Sequence, residues 1–254
     1  MATKPASPET KNAKKPAPSE PTSARGQKRR ELIKAATRIV LEREGYRAMK
    51  VVDVASEAGV AAGLFYHYFP DLKSVTCEVL SDFLQEMAKS LMPEPKGRYD
   101  AIYTSTLVMV KAFDEHPGLM RCLVQVADEV PEFKVLWDTV SIAWTKRVAN
   151  SIERQFPDAK MGDHFASCVA YALGSMVDGL VNEVYVHQNP DARKLLRKPQ
   201  DLAELLAVMW YRALYLENPP LEALKLTAPV AGMVTPSAPT GPAKQMRADP
   251  KSKK

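Results

Sequence analysis

Five consecutive ring-bearing residues, Phe65 to Phe69, form the stretch of this chain best suited to contact a polyanion. On a helix, Phe65 and Phe69 fall on one face and suit a core, whereas Tyr66 and His67 point elsewhere with hydrogen-bonding tips. Phenol and imidazole groups donate hydrogen bonds to phosphate oxygens. We therefore expect a nucleic-acid contact surface here.

Two short helices must position these side chains. Apolar residues recur at i, i+3, i+4 and i+7 between Val51 and Ala58, which predicts a first helix. Gly59 supplies the left-handed residue that ends it. A second helix fits between Ala61 and Tyr68, because Pro70 cannot continue it. Helices joined by such a turn are the geometry of DNA-reading modules, although many other helical hairpins share the spacing.

The pattern resembles the DNA-binding domain of the tetracycline-repressor (TetR) family of bacterial transcription regulators. The residues that carry the resemblance are Ala55, Glu57, Ala58, Gly59, Val60, Gly63, Tyr66, Tyr68 and Phe69, with Ala35, Ala36, Gly45, Tyr46, Ala48, Val51 and Asp53 upstream. It covers roughly residues 30–80, and implies an all-α homodimer with an N-terminal helix-turn-helix and a C-terminal helical domain for ligand binding and dimerisation.

The residues expected to touch DNA are Lys50, Ala61, Ala62, Gly63, Leu64, Tyr66, His67, Tyr68 and Lys73. Of these, the two tyrosines and two lysines are predicted phosphate contacts. Ala62, Gly63, Leu64 and His67 are predicted to face the groove. The prediction implies double-stranded operator DNA as the partner.

Several positions depart from the family pattern. The hydroxyl residue that commonly starts the helix at Val51 is replaced by Met49 and Lys50, and the Ser that commonly starts the recognition helix is replaced by Ala61. Losing that cap weakens a helix start by about 1 kcal/mol. Leu72 occupies the position where the family usually has a Lys. Because Ala62 and Leu64 are apolar, base reading is expected to use thymine methyl groups.

Charge and composition divide the chain into a folded middle and two basic ends. Residues 1–30 carry eight Lys or Arg against two Glu, and residues 227–254 carry five against one Asp, so the middle is acidic although the whole chain is +5. We expect disordered basic tails at 1–26 and 227–254, because such Pro- and Lys-rich stretches cannot bury enough apolar surface. The tails could also contact DNA.

The remaining chain reads as helices throughout. A DNA-binding domain with a linking helix is predicted at 27–92, ended by Pro93 and Pro95, and an effector and dimerisation domain at 93–226. The apolar stripes predicted to be buried are Leu32, Ala35, Ala36, Ile39 and Val40; then Phe165, Val169, Leu173, Met176, Leu180 and Val184; then Leu202, Leu205, Leu206, Met209, Ala213 and Leu216. The last two helices are apolar over more than one face, which indicates a dimer interface.

Other kinds of site are poorly supported by the sequence. Cys77, Cys122 and Cys168 lie in apolar helical patterns without a CxxC pair, which indicates buried thiols in a reducing cytoplasm. His164 and Cys168 are four apart, but a second ligand pair is missing, so we predict no metal and no cofactor. No nucleotide or hydrolase motif is present, so an enzyme is not expected. We find no apolar run long enough to span a membrane and expect a soluble, cytoplasmic protein.

An apolar small-molecule effector is expected in the C-terminal domain. The residues predicted to line its cavity are Met109, Phe113, Trp137, Trp144, Tyr171 and Met176; each of them also fits plain core packing. Acidic pairs, Asp128 with Glu129 and Asp178 with Glu183, are interpreted as caps, solvated charge or a polar anchor for that effector.

The sequence thus predicts a repressor, or less often an activator, that leaves palindromic operator DNA when an apolar molecule binds. The alternative is a helical protein that binds a hydrophobic metabolite and whose DNA-binding module is weak or vestigial, which the departures at Ala61 and Leu72 keep open. A third interpretation, a DNA-binding dimer without any effector, requires that the C-terminal domain has no cavity.

Overall fold

A computed structural model describes residues 23–90, 96–160 and 163–233, and every regular element within these ranges is helical. The α-helices are α1 (Ala24–Glu44), α2 (Val51–Glu57), α3 (Ala62–Tyr68), α4 (Leu72–Ser90), α5 (Arg98–Glu115), α6 (Pro117–Val124), α7 (Pro131–Gln155), α8 (Asp163–Val181), α9 (Pro190–Leu195), α10 (Pro199–Tyr215) and α11 (Ala228–Ala231). The expected tails before residue 23 and after residue 233, and the predicted break at Pro93 and Pro95, lie outside the described residues.

Helix α1 begins earlier than the sequence predicted. The side chain of Ser23 accepts a hydrogen bond from the backbone N–H of Gly26 at 3.1 Å and so caps the helix at Ala24. The helix ends at Gly45, whose φ of 77° few other residues adopt without strain. Three residues assigned to the basic tail therefore belong to the first helix.

The buried face of α1 is also displaced from the predicted one. Its buried residues are Gly26, Ile33, Ala36, Thr37, Val40 and Leu41. Leu32 and Ile39 are about half exposed, and Ala35 is exposed as well, so the prediction that they are buried is wrong. Two adjacent apolar stripes run along this helix, and packing against α2, α4 and α6 selects one of them.

The turn between α2 and α3 has the predicted form. Gly59 adopts φ 65°, and the N–H of Val60 donates to the carbonyl of Ala55 at 2.9 Å, which closes the end of α2. Phe65 and Phe69 are buried, as their spacing predicted. Together they fix α3 against the rest of the module.

Helix α4 leads out of this module towards the C-terminal helices. The carboxylate of Asp71 accepts hydrogen bonds from the backbone N–H and the hydroxyl of Ser74, both at 2.7 Å, and so caps the start of α4. The residues that α4 buries are Val75, Thr76, Val79, Leu80, Phe83 and Leu84. Except for Thr76, these residues are apolar and recur at helical spacing.

The C-terminal helices pack as a bundle in which α5 lies along α10 and α7 lies along α8. The short helix α6 sits between α1, α5 and α7. Helix α10 buries much of its circumference, and its buried residues are Leu202, Ala203, Glu204, Leu206, Ala207, Val208, Trp210 and Tyr211. The predicted stripe is therefore partly wrong, because Met209, Ala213 and Leu216 are exposed.

The ordered chain extends past α10, beyond the boundary predicted at residue 227. The buried carboxylate of Glu204 accepts hydrogen bonds from the backbone N–H groups of Lys225, Leu226 and Thr227, at 2.8 to 2.9 Å, and from the Thr227 hydroxyl. Burial alone would raise the pKa of Glu204, but these hydrogen bonds outweigh it and leave the pKa below the ordinary value. The start of the predicted tail is thus held against the helical core.

Apolar residues on α8 and α10 remain exposed in the single protomer. On α8 the exposed face includes Phe165, Cys168, Ala172, Ser175 and Gly179, so the predictions that Phe165 and Cys168 are buried are wrong. On α10 the exposed face includes Met209 and Ala213, and Leu216 is exposed directly after the helix ends. His164–Val186 is long and apolar enough to cross a membrane, so the prediction that no such run exists is wrong. Only 28% of the most apolar part of this helix is buried. A single helix of this composition is weak support for a membrane span, because helices at protein interfaces share it.

Candidate functional site

The helix-turn-helix presents an exposed polar surface around the start of α3. The predicted contacts that are exposed there are Lys50, Ala61, Gly63, Tyr66 and His67. Tyr66 is 50% exposed, so its phenol ring projects from the module. Ala62 and Leu64 are half-buried. The structure therefore brings most of the predicted DNA-contacting residues onto one small helix and its flank.

Two of the predicted phosphate contacts, Tyr68 and Lys73, already contact other parts of the protein. Tyr68 is only 8% exposed, so its ring belongs to the core, where it packs edge-on against His67. Lys73 donates to the carboxylate of Glu132 on α7 at 2.5 Å, and this hydrogen bond raises the pKa of Lys73. Sequence reasoning could not find that pair, because its partners are 59 residues apart.

The start of α1 adds cations to this end of the molecule. Arg25 and Lys28 are exposed, and Arg29 is half-buried. In the described part of the chain, none of the three has a carboxylate within salt-bridge distance. Cations at a helix N-terminus are unfavourable for its dipole, so an external anion such as phosphate would stabilise them.

Three ion pairs connect α1 to α4. Arg30 pairs with Glu78, Lys34 with Asp82 at 2.5 Å, and Arg38 with Glu86 at 2.9 Å. The partners differ by 48 residues each time, so the two helices run parallel, with the pairs one turn apart. We call this set the ion-pair ladder. It ties the linking helix to the first helix of the DNA-binding module.

The C-terminal end of α1 is joined to the start of α6. The carboxylate of Glu42 accepts hydrogen bonds from the backbone N–H groups of Gly118, at 2.6 Å, and Leu119, at 3.4 Å. A negative charge is favourable at a helix N-terminus. A β-carbon on Gly118 would come within 2.5 Å of the Glu42 α-carbon, so only glycine lets the two backbones approach this closely.

Further contacts join the same module to α7 and the turn before it. Arg47 pairs with Glu129, with its Nε donating at 3.1 Å. The ring of Tyr46 packs edge-on against Phe133, with centroids 4.9 Å apart. Of the acidic residues singled out from the sequence, Glu129 therefore serves this junction, and Glu183 instead bonds to His187 and Asn189.

A cavity of about 470 Å³ lies among α4, α5, α7, α8 and α10. Its wall includes Leu84, Met87 and Ala88 from α4; Thr106 and Met109 from α5; Trp137, Trp144 and Arg147 from α7; Tyr171, Gly174 and Asp178 from α8; and Trp210 from α10. This volume is within the range of cavities that hold small molecules. Three residues of the linking helix thus form part of a cavity in the C-terminal domain.

Four of the predicted effector residues line this cavity, namely Met109, Trp137, Trp144 and Tyr171. Phe113 and Met176 are not among its lining residues: Phe113 stacks on Tyr185 at 6.2 Å, and Met176 is half-buried against the core. Sequence reasoning missed Thr106 and Trp210. Trp210 could have been suspected, since the chain has only three tryptophans, but its position four residues after Leu206 also fits a core stripe.

Asp178 is a carboxylate on the cavity wall. Asp178 as a residue is exposed to solvent. The protein around its carboxyl group nevertheless removes enough water to raise the pKa of Asp178 above the ordinary value. It does not pair with Glu183, which bonds elsewhere. A raised pKa at a cavity wall is typical of a polar group placed for ligand contact or for a buried structural role.

Comparison with known proteins agrees with both halves of this architecture. Residues 32–72 match the family described as bacterial regulatory proteins of the tetR family, and residues 102–216 match the C-terminal domain of the transcriptional regulator EthR. The first match spans the helix-turn-helix, and the second spans four of the five helices around the cavity, all except α4. The chain belongs to the tetR family of bacterial regulatory proteins.

Among curated proteins, the chain is similar to the HTH-type transcriptional repressor KstR2 of Rhodococcus jostii (strain RHA1). The two are 38% identical over 92 residues, which is 36% of this chain and 41% of that relative. The similarity thus spans less than half of the repressor's length.

Solved structures share the fold at low sequence identity. A transcriptional regulator from Rhodococcus sp. Rha1 has a TM-score of 0.60 and 19% identity, covering 74% of this chain and 96% of that one. The fatty acid degradation regulator FadR from Bacillus halodurans has a TM-score of 0.54 and 16% identity, covering 70% and 94%. At this identity the likeness establishes the fold alone.

Proposed function

We propose that this family member is a ligand-responsive repressor that binds palindromic operator DNA as a homodimer and is released by a hydrophobic small molecule. One observation carries the proposal: α4 lines the cavity through Leu84, Met87 and Ala88 and is tied to α1 by the ion-pair ladder. A molecule in the cavity would therefore press on the helix that holds the DNA-binding module. Such a regulator would act in the cytoplasm, where its operator is.

The surface around α3 supports DNA reading. Exposed Gly63 and His67 lie on α3, where they can face the major groove, and the exposed ring of Tyr66 can donate to phosphate. Lys50 adds charge at the start of α2. Two of the four phosphate contacts predicted from the sequence are engaged elsewhere, because Tyr68 is buried and Lys73 is paired with Glu132. Tyr66 and Lys50 are therefore the main phosphate contacts that we propose.

A homodimer explains the exposed apolar faces of α8 and α10. Contiguous apolar surface on a single protomer marks an interaction site, and a twofold axis would pair both helices with their copies in a four-helix arrangement. The dimer also serves recognition. Helix α3 is only seven residues long and reads few base pairs, so two copies on a palindrome double the contact.

The proposed switch needs only a small difference in ligand affinity between two states. A coupling free energy of about 1–3 kcal/mol suffices to change operator affinity measurably. If the ligand moves α4, the junctions at Glu42, Arg47 and Lys73 determine how the module follows. The spacing between the two α3 helices would then no longer match successive major grooves.

A gel-shift assay with the DNA upstream of the protein's own gene tests the proposal. We expect sequence-specific retention that weakens as salt concentration rises, since phosphate contacts release counterions. Tyr66→Phe should weaken binding to this DNA and to random DNA alike, because it removes a phosphate donor. Tyr171→Phe, an equally exposed tyrosine on the cavity wall, is the matched control. Loss on the operator only would contradict the phosphate assignment.

The second candidate is a protein that binds a hydrophobic metabolite and whose DNA-binding module is weak. The start of α3 favours it, because Ala61 gives this helix no side-chain cap. No retention in the same gel shift at low salt would support this candidate. The third interpretation, a dimer without an effector, required that the domain contain no cavity, whereas a cavity of about 470 Å³ is present.

A further inference from the structure

Two buried hydrogen-bonding groups at the cavity wall have no partner among the residues that the structure describes. They are the indole Nε1–H of Trp210, whose residue is 4% exposed, and the hydroxyl of Thr106, whose residue is 3% exposed. Leaving such a group without a partner incurs its full desolvation penalty, so native proteins seldom do so. Because Thr106 and Trp210 both line the cavity, a molecule bound there is the candidate partner for these groups.

The charged residues of the cavity wall are separated from its buried part. We call the part lined by buried residues the floor and the part lined by exposed residues the mouth. Its buried lining residues are Leu84, Thr106, Thr145, Val177 and Trp210, which are all uncharged. Its charged lining residues, Arg147 and Asp178, are both exposed. An anionic group on the floor would lose its hydration and meet only neutral donors, which is unfavourable. The floor is therefore suited to a neutral polar atom.

The indole of Trp210 is held in place by its neighbours. The ring of Trp144 packs edge-on against it, with centroids 5.5 Å apart. A β-carbon on Gly174 would come within 3.2 Å of the Trp144 ring, so glycine at this position gives that ring its room. The donor direction of Trp210 is thus fixed before any ligand arrives, which lowers the entropic cost of binding.

We propose that the cavity selects ligands that carry an uncharged hydrogen-bond acceptor, a carbonyl group above all, on an apolar body. The carbonyl oxygen accepts hydrogen bonds from Trp210 Nε1–H and the Thr106 hydroxyl at the floor, and any charged end of the ligand stays at the mouth beside Arg147 and Asp178. The inference rests on the proposed role of this cavity as the effector site, and it names the class of effector.

The test uses two probes of the same shape on the full-length protein. The ketone 2-nonanone has a carbonyl, and 2-methyl-1-nonene replaces its oxygen with a methylene group. All three tryptophans of the chain, Trp137, Trp144 and Trp210, line the cavity, so intrinsic fluorescence reports binding there directly. We expect the ketone to bind roughly fivefold more tightly than the alkene.

Variants separate the two donors from general packing. Thr106→Val and Trp210→Phe should each reduce the preference for the ketone severalfold and leave alkene binding nearly unchanged. Thr76→Val is the matched control. Thr76 is also a buried threonine whose hydroxyl has no hydrogen-bond partner within the described ranges, but it does not line the cavity. Nonanoate, whose carboxylate should stay at the mouth, should bind wild type and Thr106→Val equally.

Three results would overturn the inference: equal affinity for ketone and alkene, no binding of either probe, or the same loss of preference in Thr76→Val. Thermal unfolding of each variant shows whether it still folds, and Thr106→Val, which keeps the side-chain shape, carries the test if Trp210→Phe does not fold. A failure of this inference can be distinguished from a failure of the proposed function. A protein that prefers the ketone but never binds its upstream DNA keeps this inference and loses the repressor assignment.

Discussion

Single residues determine how closely the DNA-binding module meets the C-terminal domain. Gly118 is the clearest case, because its α-carbon lies against the backbone of Leu41 and Glu42. The carboxylate of Glu42 accepts hydrogen bonds in the first turn of α6, which Pro117 begins. Backbone contact and charge act at the same point, so this junction depends on two residues, Gly118 and Glu42, that sequence patterns do not single out.

The variant Gly118→Ala should lower the free energy of unfolding by about 1–3 kcal/mol, since its methyl group forces two backbones apart. Chemical denaturation monitored by circular dichroism measures the change. Gly63→Ala is the control, because a β-carbon there has no heavy atom within 4 Å, and alanine in a helix should stabilise it by about 1 kcal/mol. Equal stability of the two variants would contradict the close approach at Gly118.

Glu204→Gln should release the segment from Lys225 to Thr227, because an amide accepts these hydrogen bonds less strongly than a carboxylate. We expect a loss of about 1–3 kcal/mol at neutral pH. The folded pKa of Glu204 is depressed, so its contribution is fully present above the ordinary value of 4.5 and is lost as pH falls through the folded value. Unfolding curves of wild type and variant should therefore converge in acid; a constant gap would contradict this.

Whole elements show what the sequence can and cannot specify. Helix ends were predictable where a local signal sets them, as Gly59 does for α2 and Pro70 for α3. Buried faces were less predictable. Leu32 and Ile39 are as apolar as Ile33 and Val40, and only packing against distant helices decides which pair is covered. For the same reason the pairing of Lys73 with Glu132 and the position of Trp210 in the cavity required the tertiary structure.

The pairs of the ion-pair ladder between α1 and α4 should have unequal coupling free energies. The Lys34 side chain is 12% exposed, so its pair with Asp82 is better shielded from solvent than the pair of Arg38 with Glu86. A double-mutant cycle with alanine should give about 0.5–1 kcal/mol for the first pair and less for the second. Raising the salt concentration should reduce the second more. The opposite order would show that burial does not control the ladder.

One protomer leaves the apolar faces of α8 and α10 exposed, which is why we propose a homodimer. Met209→Glu on the exposed face of α10 should convert the proposed dimer into a monomer, because it places two like charges near the twofold axis. Light scattering after size exclusion measures the mass. Val135→Glu, a similarly exposed apolar residue on α7, is the control and should stay dimeric. A monomeric wild type would refute the interface, and a monomeric Met209→Glu that still binds operator tightly would refute the need for two subunits.

The ion-pair ladder also restricts the path that α4 can follow. Cations recur every four residues on α1, and carboxylates recur every four residues on α4. A slide of one turn, about 6 Å along the axis, would re-form two of the three pairs, whereas a half-turn slide would leave all of them broken. The spacing of the charges therefore disfavours partial slides of α4 along α1. In the proposed switch, a ligand that displaces α4 by less than one turn would keep more of these pairs by tilting or rotating the helix than by sliding it.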